Sequence, residues 1–209
     1  MAVYYYNGAK ILAPLSITSN RPIYDADTVS LKKIRASQNH QRWELSFECV
    51  ANDNAGDTFI DSIKDLTSSS SMPMPQIKEV EDASNLRGTA LVASDVVAGD
   101  SSVPILKDNN ISGILKKGSF IKFGNYPKVY VLTDDLNMNT PDNNGQYVAK
   151  IFPNLVLGVS VSGAVGAREL NYGTACEITY FKDVTNLQGI TFSDGILANM
   201  GTINLIEAL

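Results

Sequence analysis

Six short stretches of strand-forming residues, each closed by turn residues, are crowded into positions 89–163. That crowding limits what the chain can fold into more than any other feature. Residues 91–93, 103–106, 119–123, 128–132, 146–152 and 159–161 are rich in Val, Ile, Leu, Phe and Tyr. Between them lie AGDSS, DNNISG, GNYP and NTPDNNG, whose Gly, Asp, Asn and Pro favour chain reversal. Strands this short and this close expose unpaired edges unless the sheet curls round on itself. The pattern therefore predicts a small β-barrel, with a barrel of the OB type the most economical form.

The flanks are also β in character. In QRWELSFEC, Trp43, Leu45, Phe47 and Cys49 alternate with Arg42, Glu44, Ser46 and Glu48. A period of two with one apolar face is a strand packed on one side and wet on the other. Cys176, Ile178 and Tyr180 repeat the pattern against Glu177 and Thr179. Residues 3–6, 11–18, 27–36 and 201–207 read as further strands. Helical periodicity occurs once, over residues 57–69, where Phe59, Ile60, Ile63 and Leu66 share a face. The serine run from Ser68 and the MPMP that follows end it, leaving 72–75 as an extended connector.

Residues 168–209 are too few to bury a core of their own. They are expected to pair with residues 1–86 in one discontinuous domain, with 87–167 inserted as the barrel. Insertion at a surface loop costs little because the two ends of a loop lie close together. The expected fold is thus mainly β: a discontinuous β-sandwich or barrel with one short helix, carrying an inserted OB-like barrel.

Composition narrows the chemistry. A net charge of −5 opposes a protein held to nucleic acid through phosphate contacts. No apolar run approaches the roughly 18 residues that cross a bilayer. Lys10 precedes a short apolar segment broken by Pro14 and Ser16, with no cleavage signature, so no signal peptide is expected. Cys49 and Cys176 lie on apolar faces and read as buried free thiols. Two thiols and the single histidine, His40, do not make a zinc site. No phosphate loop, dinucleotide fingerprint or HExxH is present. GVSVSG at 158–163 lacks the spacing of a nucleophile elbow and reads as a turn. NDNAGD at 52–57 lacks the register of a calcium loop. Asp134 and Asp135 follow a strand as a solvated turn. No enzyme activity and no cofactor are expected.

Two surfaces carry partner chemistry. Asp53, Asp57, Asp61, Asp65, Glu79, Glu81 and Asp82 outnumber Lys64 and Lys78 around the helix, giving an anionic face past which DNA could move without sticking. In KKGSFIKFGNYPKVY, lysines alternate with aromatics, so Lys122, Tyr126, Lys128 and Tyr130 form a candidate ligand surface for a glycan or a single strand. The competing reading of those aromatics is barrel core.

The phrase GDSSVPI…LKKGSFIKFGNYPKVYVLTDD…GQYVAKIFPNL, over about 99–155, resembles a module of tailed-bacteriophage structural proteins. The matching positions are Gly99, Asp100, Lys117, Gly118, Phe120, Ile121, Lys128, Val129, Tyr130, Ile151, Phe152, Pro153 and Leu155, while Ser119 departs where an acid is frequent. With the SQ…QRWEL segment at 37–45, the chain is similar to the distal tail protein of long-tailed phages, in the version with an inserted OB-like domain. The resemblance implies a homo-oligomeric ring, usually a hexamer, joining the tail tube to the tip or baseplate. It implies assembly in the host cytoplasm, residence in the virion tail, passage of DNA through the ring without specific binding, and no membrane. A host surface glycan is a further partner to test. The alternative is a binding module that uses the inserted barrel to hold carbohydrate or single-stranded nucleic acid.

Overall fold

The structure, a computed structural model, describes residues 4–6, 8–27, 33–37, 40–50, 67–76, 86–106, 111–124, 126–141, 146–162, 168–183, 191–193, 197–199 and 201–209. The fold is mainly β, built from antiparallel sheets. The helix expected over 57–69, the calcium-like loop at 52–57 and the acidic residues from Asp53 to Asp82 lie outside the described residues, except for positions 67–69. The chain divides into two compact units, one of residues 1–21, 41–72 and 179–209, the other of 22–40 and 73–178.

The first unit holds a six-stranded sheet ordered β1 (Tyr5–Tyr6), β2 (Ala9–Asn20), β5 (Arg42–Cys49), β18 (Thr202–Glu207), β15 (Glu177–Lys182) and β6 (Ser70–Pro73). The alternation read in QRWELSFEC is realised: Trp43, Leu45, Phe47 and Cys49 are buried, and Arg42 and Glu48 are exposed. β18 sets Leu205 opposite Leu45 and Ile203 opposite Phe47, so the apolar set of each strand meets that of its neighbour. Tyr6 lies edge-on to Phe47, ring centroids 5.5 Å apart, and tilted to Tyr180 at 6.2 Å. Glu207 is buried beside them, and its carboxylate accepts the Trp43 N–H at 3.0 Å.

Burial pushes the Cys49 thiol up from about 9 to about 11. The folded state thus keeps its proton where an unfolded thiol would lose it. That contribution to stability is complete below about pH 9 and is lost as pH rises toward 11. Cys49 is expected to stay unlabelled by iodoacetamide at pH 8 in the native protein and to react once urea unfolds it, as read by mass spectrometry. Native-state labelling would contradict the burial.

In the second unit the expected barrel is present, and it is closed. The sheet runs β14 (Leu170–Tyr172), β10 (Phe120–Phe123), β11 (Val129–Leu132), β13 (Val148–Phe152), β8 (Ser102–Leu106), β7 (Leu91–Val92). Its two ends then meet. Leu91 bridges Glu169, the Val92 N–H donates to the Arg168 carbonyl at 2.9 Å, and the Leu170 N–H donates to the Ala90 carbonyl at 2.8 Å. Ile105, Leu115, Ile121, Phe123, Leu132 and Ile151 are among the residues that fill the interior.

Three sequence expectations change. The barrel closes with the six strands its length allowed, but the sixth, β14, lies beyond residue 167, and the compact unit that holds it comprises residues 22–40 and 73–178. Residues 159–161 contribute only a bridge, Val159 to Val96, in place of a strand. The strand expected over 27–36 is instead part of a hairpin, β3 (Ile23–Asp27) against β4 (Lys33–Ser37), with Asp27 opposite Lys33. A short pair, β9 (Ile114–Leu115) with β12 (Leu136–Asn137), and a hairpin of β16 (Thr191–Ser193) with β17 (Leu197–Asn199) complete the described strands.

Candidate functional site

The four residues proposed from sequence as a ligand surface separate in the structure. Register sets Ile121 opposite Tyr130 and Lys122 opposite Val129, so alternate residues of β10 and β11 point into and out of the barrel. Tyr130 points in. It is 2% exposed, tilted against Phe123 at 5.6 Å, and its hydroxyl accepts the Val156 N–H at 3.2 Å. Lys128 is also buried. Lys122 is half-exposed, but its ammonium donates to the Glu177 carbonyl at 3.2 Å. Tyr126 packs half-buried against the barrel core. Interleaved lysines and aromatics here build a barrel wall, and stacking a base on Tyr130 would require opening the core.

The residues that carried the family resemblance knit the barrel together. Gly99, at φ +98°, donates to the Leu155 carbonyl at 2.8 Å, and the Leu155 N–H returns to the Asp100 carbonyl at 2.8 Å. Gly118, at φ +89°, donates to the Leu132 carbonyl at 2.9 Å. Both glycines occupy backbone conformations that a side chain disfavours. At these positions the phrase shapes the barrel's backbone turns.

The first unit offers two contact features. Cross-strand register places Tyr5, Leu12, Glu44, Ser46, Asn204, Ile206 and Phe181 on the outer face of its sheet. Tyr5 is 56% exposed, and Leu12 and Phe181 are each 40% exposed. Among them runs a polar groove of about 420 Å³, lined by Thr18, Arg42, Glu44, Ser46, Asp183 and Asn204. One Glu44 oxygen accepts both the Asn20 amide at 2.8 Å and the Arg42 Nε at 3.1 Å, which fixes the carboxylate in the groove.

The second feature is the edge of β2. β1 covers only Ala9 and Lys10, with the Ile11 N–H reaching the Tyr4 carbonyl. Along Leu12–Asn20 the outer edge meets no other strand among the described residues. A bulge between Leu12 and Ser16, which contains Pro14, breaks the register, and regular pairing to β5 then resumes over Ser16–Asn20. No residue from Leu12 to Asn20 is charged. Bare, uncharged edges readily accept another strand.

His40 is exposed. Ser160 and the Val161 N–H both bond Asp95 Oδ1, which locks the turn at Val161–Ser162. Asp134 and Asp135 are held below the usual carboxylate range by hydrogen bonds from Lys150 and Lys116 respectively, each at 2.8 Å. The Lys117 N–H donates to the other Asp135 oxygen at 2.8 Å. Among the described residues no three His, Cys, Asp or Glu side chains gather as metal ligands, and no helix is long and apolar enough to cross a membrane.

No protein-family model matches this chain, and no curated protein matches it.

Proposed function

We propose that the chain is a structural subunit of a long-tailed bacteriophage tail, forming a ring that joins the tail tube to the tip or baseplate. The observation that carries this reading is the form of the insertion. β6 and β15 are neighbours in the first sheet, yet the chain between them forms a separate closed barrel. That is the organisation implied by the resemblance at 99–155, and four of the matching positions, Gly99, Asp100, Gly118 and Leu155, make backbone bonds in the barrel's turns. The bare edge over Ser16–Asn20 supplies what ring assembly needs, a heterologous contact able to repeat around an axis. The outer face, with its fixed Glu44 carboxylate and exposed apolar rim, suits docking on a neighbouring tail protein. A net charge of −5 lets DNA pass without retention.

Negative-stain microscopy and native mass spectrometry of the purified protein, alone and with its tube protein, test the reading. Closed rings of defined subunit number are the expected result. A monomer that persists at high concentration and in the presence of the tube would rule the assignment out.

A further inference from the structure

One end of the closed barrel carries an apolar tip made by two loops, residues 94–101 and 154–162. Val97 is 68% exposed and Leu157 51%, and Ala98 and Gly158 beside them are exposed too. Surface loops are commonly mobile, but these two are laced together. Val96 and Val159 exchange two backbone hydrogen bonds at 2.9 Å. The Gly99 N–H reaches the Leu155 carbonyl, and the Leu155 N–H returns to the Asp100 carbonyl. Asp95 accepts from Ser160 and from the Val161 N–H. A Cβ on Gly158 would come within 2.9 Å of the Val96 carbonyl, so the loops meet backbone to backbone there. At the side of the tip, the exposed Asp100 carboxylate has no partner among the described residues. A tip ordered in advance loses little freedom when something covers it.

The sheet of the first unit carries the chemical counterpart. Register sets Tyr5 opposite Lys10, and the Val50 N–H donates to the Lys10 carbonyl at 2.8 Å, so the three form one row across the outer face. Leu12 stands in the next row, opposite Glu48. Tyr5, Leu12 and Val50 are exposed, and the Lys10 ammonium has no partner among the described residues. Glu48 already accepts the Thr202 hydroxyl at 3.3 Å. We propose that the barrel tip of one copy docks on this row of a second copy. Val97 and Leu157 cover Tyr5, Leu12 and Val50, while Asp100 pairs with Lys10. Opposite unpaired charges beside the two apolar patches select the partner and fix the orientation. An anionic membrane would repel Asp95 and Asp100 and is a poorer occupant. Tip and row are different surfaces, so the contact is heterologous, each copy giving one and receiving the other. It involves few side chains, which sets its dissociation constant at about 0.1–1 mM. The inference does not rest on the ring assignment, since two copies suffice.

Carbodiimide cross-linking of an equal mixture of unlabelled and isotope-labelled full chain, at about 0.5 mM, tests the contact directly. An amide joining Lys10 of one isotopic form to Asp100 of the other is expected by mass spectrometry. Its absence would overturn the proposal. Charge exchange, followed by sedimentation velocity, gives a second reading. Asp100→Lys copies and Lys10→Asp copies should each associate about tenfold more weakly than the parent, with unchanged melting midpoints, because each variant sets like charges together. Mixed, they should regain the parental association, since between unlike copies every tip meets a row of opposite charge. Recovery on mixing is a result that a merely structural role for either residue does not give. Association unchanged in both variants, or no recovery in the mixture, would overturn the proposal. Run in the Ser16→Lys, Thr18→Lys background, which blocks the β2 edge, the same exchange reads this contact apart from ring assembly.

Discussion

Phe47→Ala is expected to lower the stability of the first unit by about 3–5 kcal/mol, the usual cost of emptying a buried phenylalanine site. Phe47 is 1% exposed and sits in β5, which pairs with β2 on one side and β18 on the other. Its ring meets Tyr6 edge-on, a contact worth about 0.5–1.5 kcal/mol beyond burial. Domains of this size hold only about 5–15 kcal/mol in total, so the loss takes a large share of it. Trp43 is the sole tryptophan and lies buried in the same strand, so its fluorescence follows this unit during urea unfolding. With a slope near 2 kcal/mol per molar, the midpoint should fall by about 2 M. A fall of less than about 0.5 M would mean that Phe47 is not packed as described.

The second large effect concerns assembly. Ser16→Lys combined with Thr18→Lys should abolish ring formation while leaving the monomer's unfolding free energy within about 0.5 kcal/mol of the parent. Both positions are exposed, opposite Ser46 and Glu44, so neither substitution disturbs the core. Lysines on an edge strand are a natural defence against edge pairing, because joining a strand would desolvate and crowd their charges. Native mass spectrometry gives the oligomer and urea unfolding gives the monomer stability. Rings that survive the double substitution would place the ring contact elsewhere than this edge.

The alternation of Trp43, Leu45, Phe47 and Cys49 needed no tertiary information, because a strand's period of two displays its buried face directly in sequence. The same holds for Ile178 and Tyr180, and for the turn residues that cut the inserted segment into short strands. The closing strand, Leu170–Tyr172, was invisible because its role depends on the pairing of Leu91 with Glu169, residues far apart in sequence. The 27–36 stretch misled for a related reason: strand composition does not say where a strand ends and its return begins.

The lysine and aromatic pattern from Lys122 to Tyr130 marks the boundary between the two kinds of information. Composition and spacing determined that Lys122 and Tyr130 lie on β-strands of a small barrel. Only the tertiary structure decided which of them face water, since a closed barrel has an inside and an outside, and pairing Ile121 with Tyr130 turns that tyrosine inward. Local periodicity fixes which side chains share a face. Long-range closure decides whether that face is core or surface.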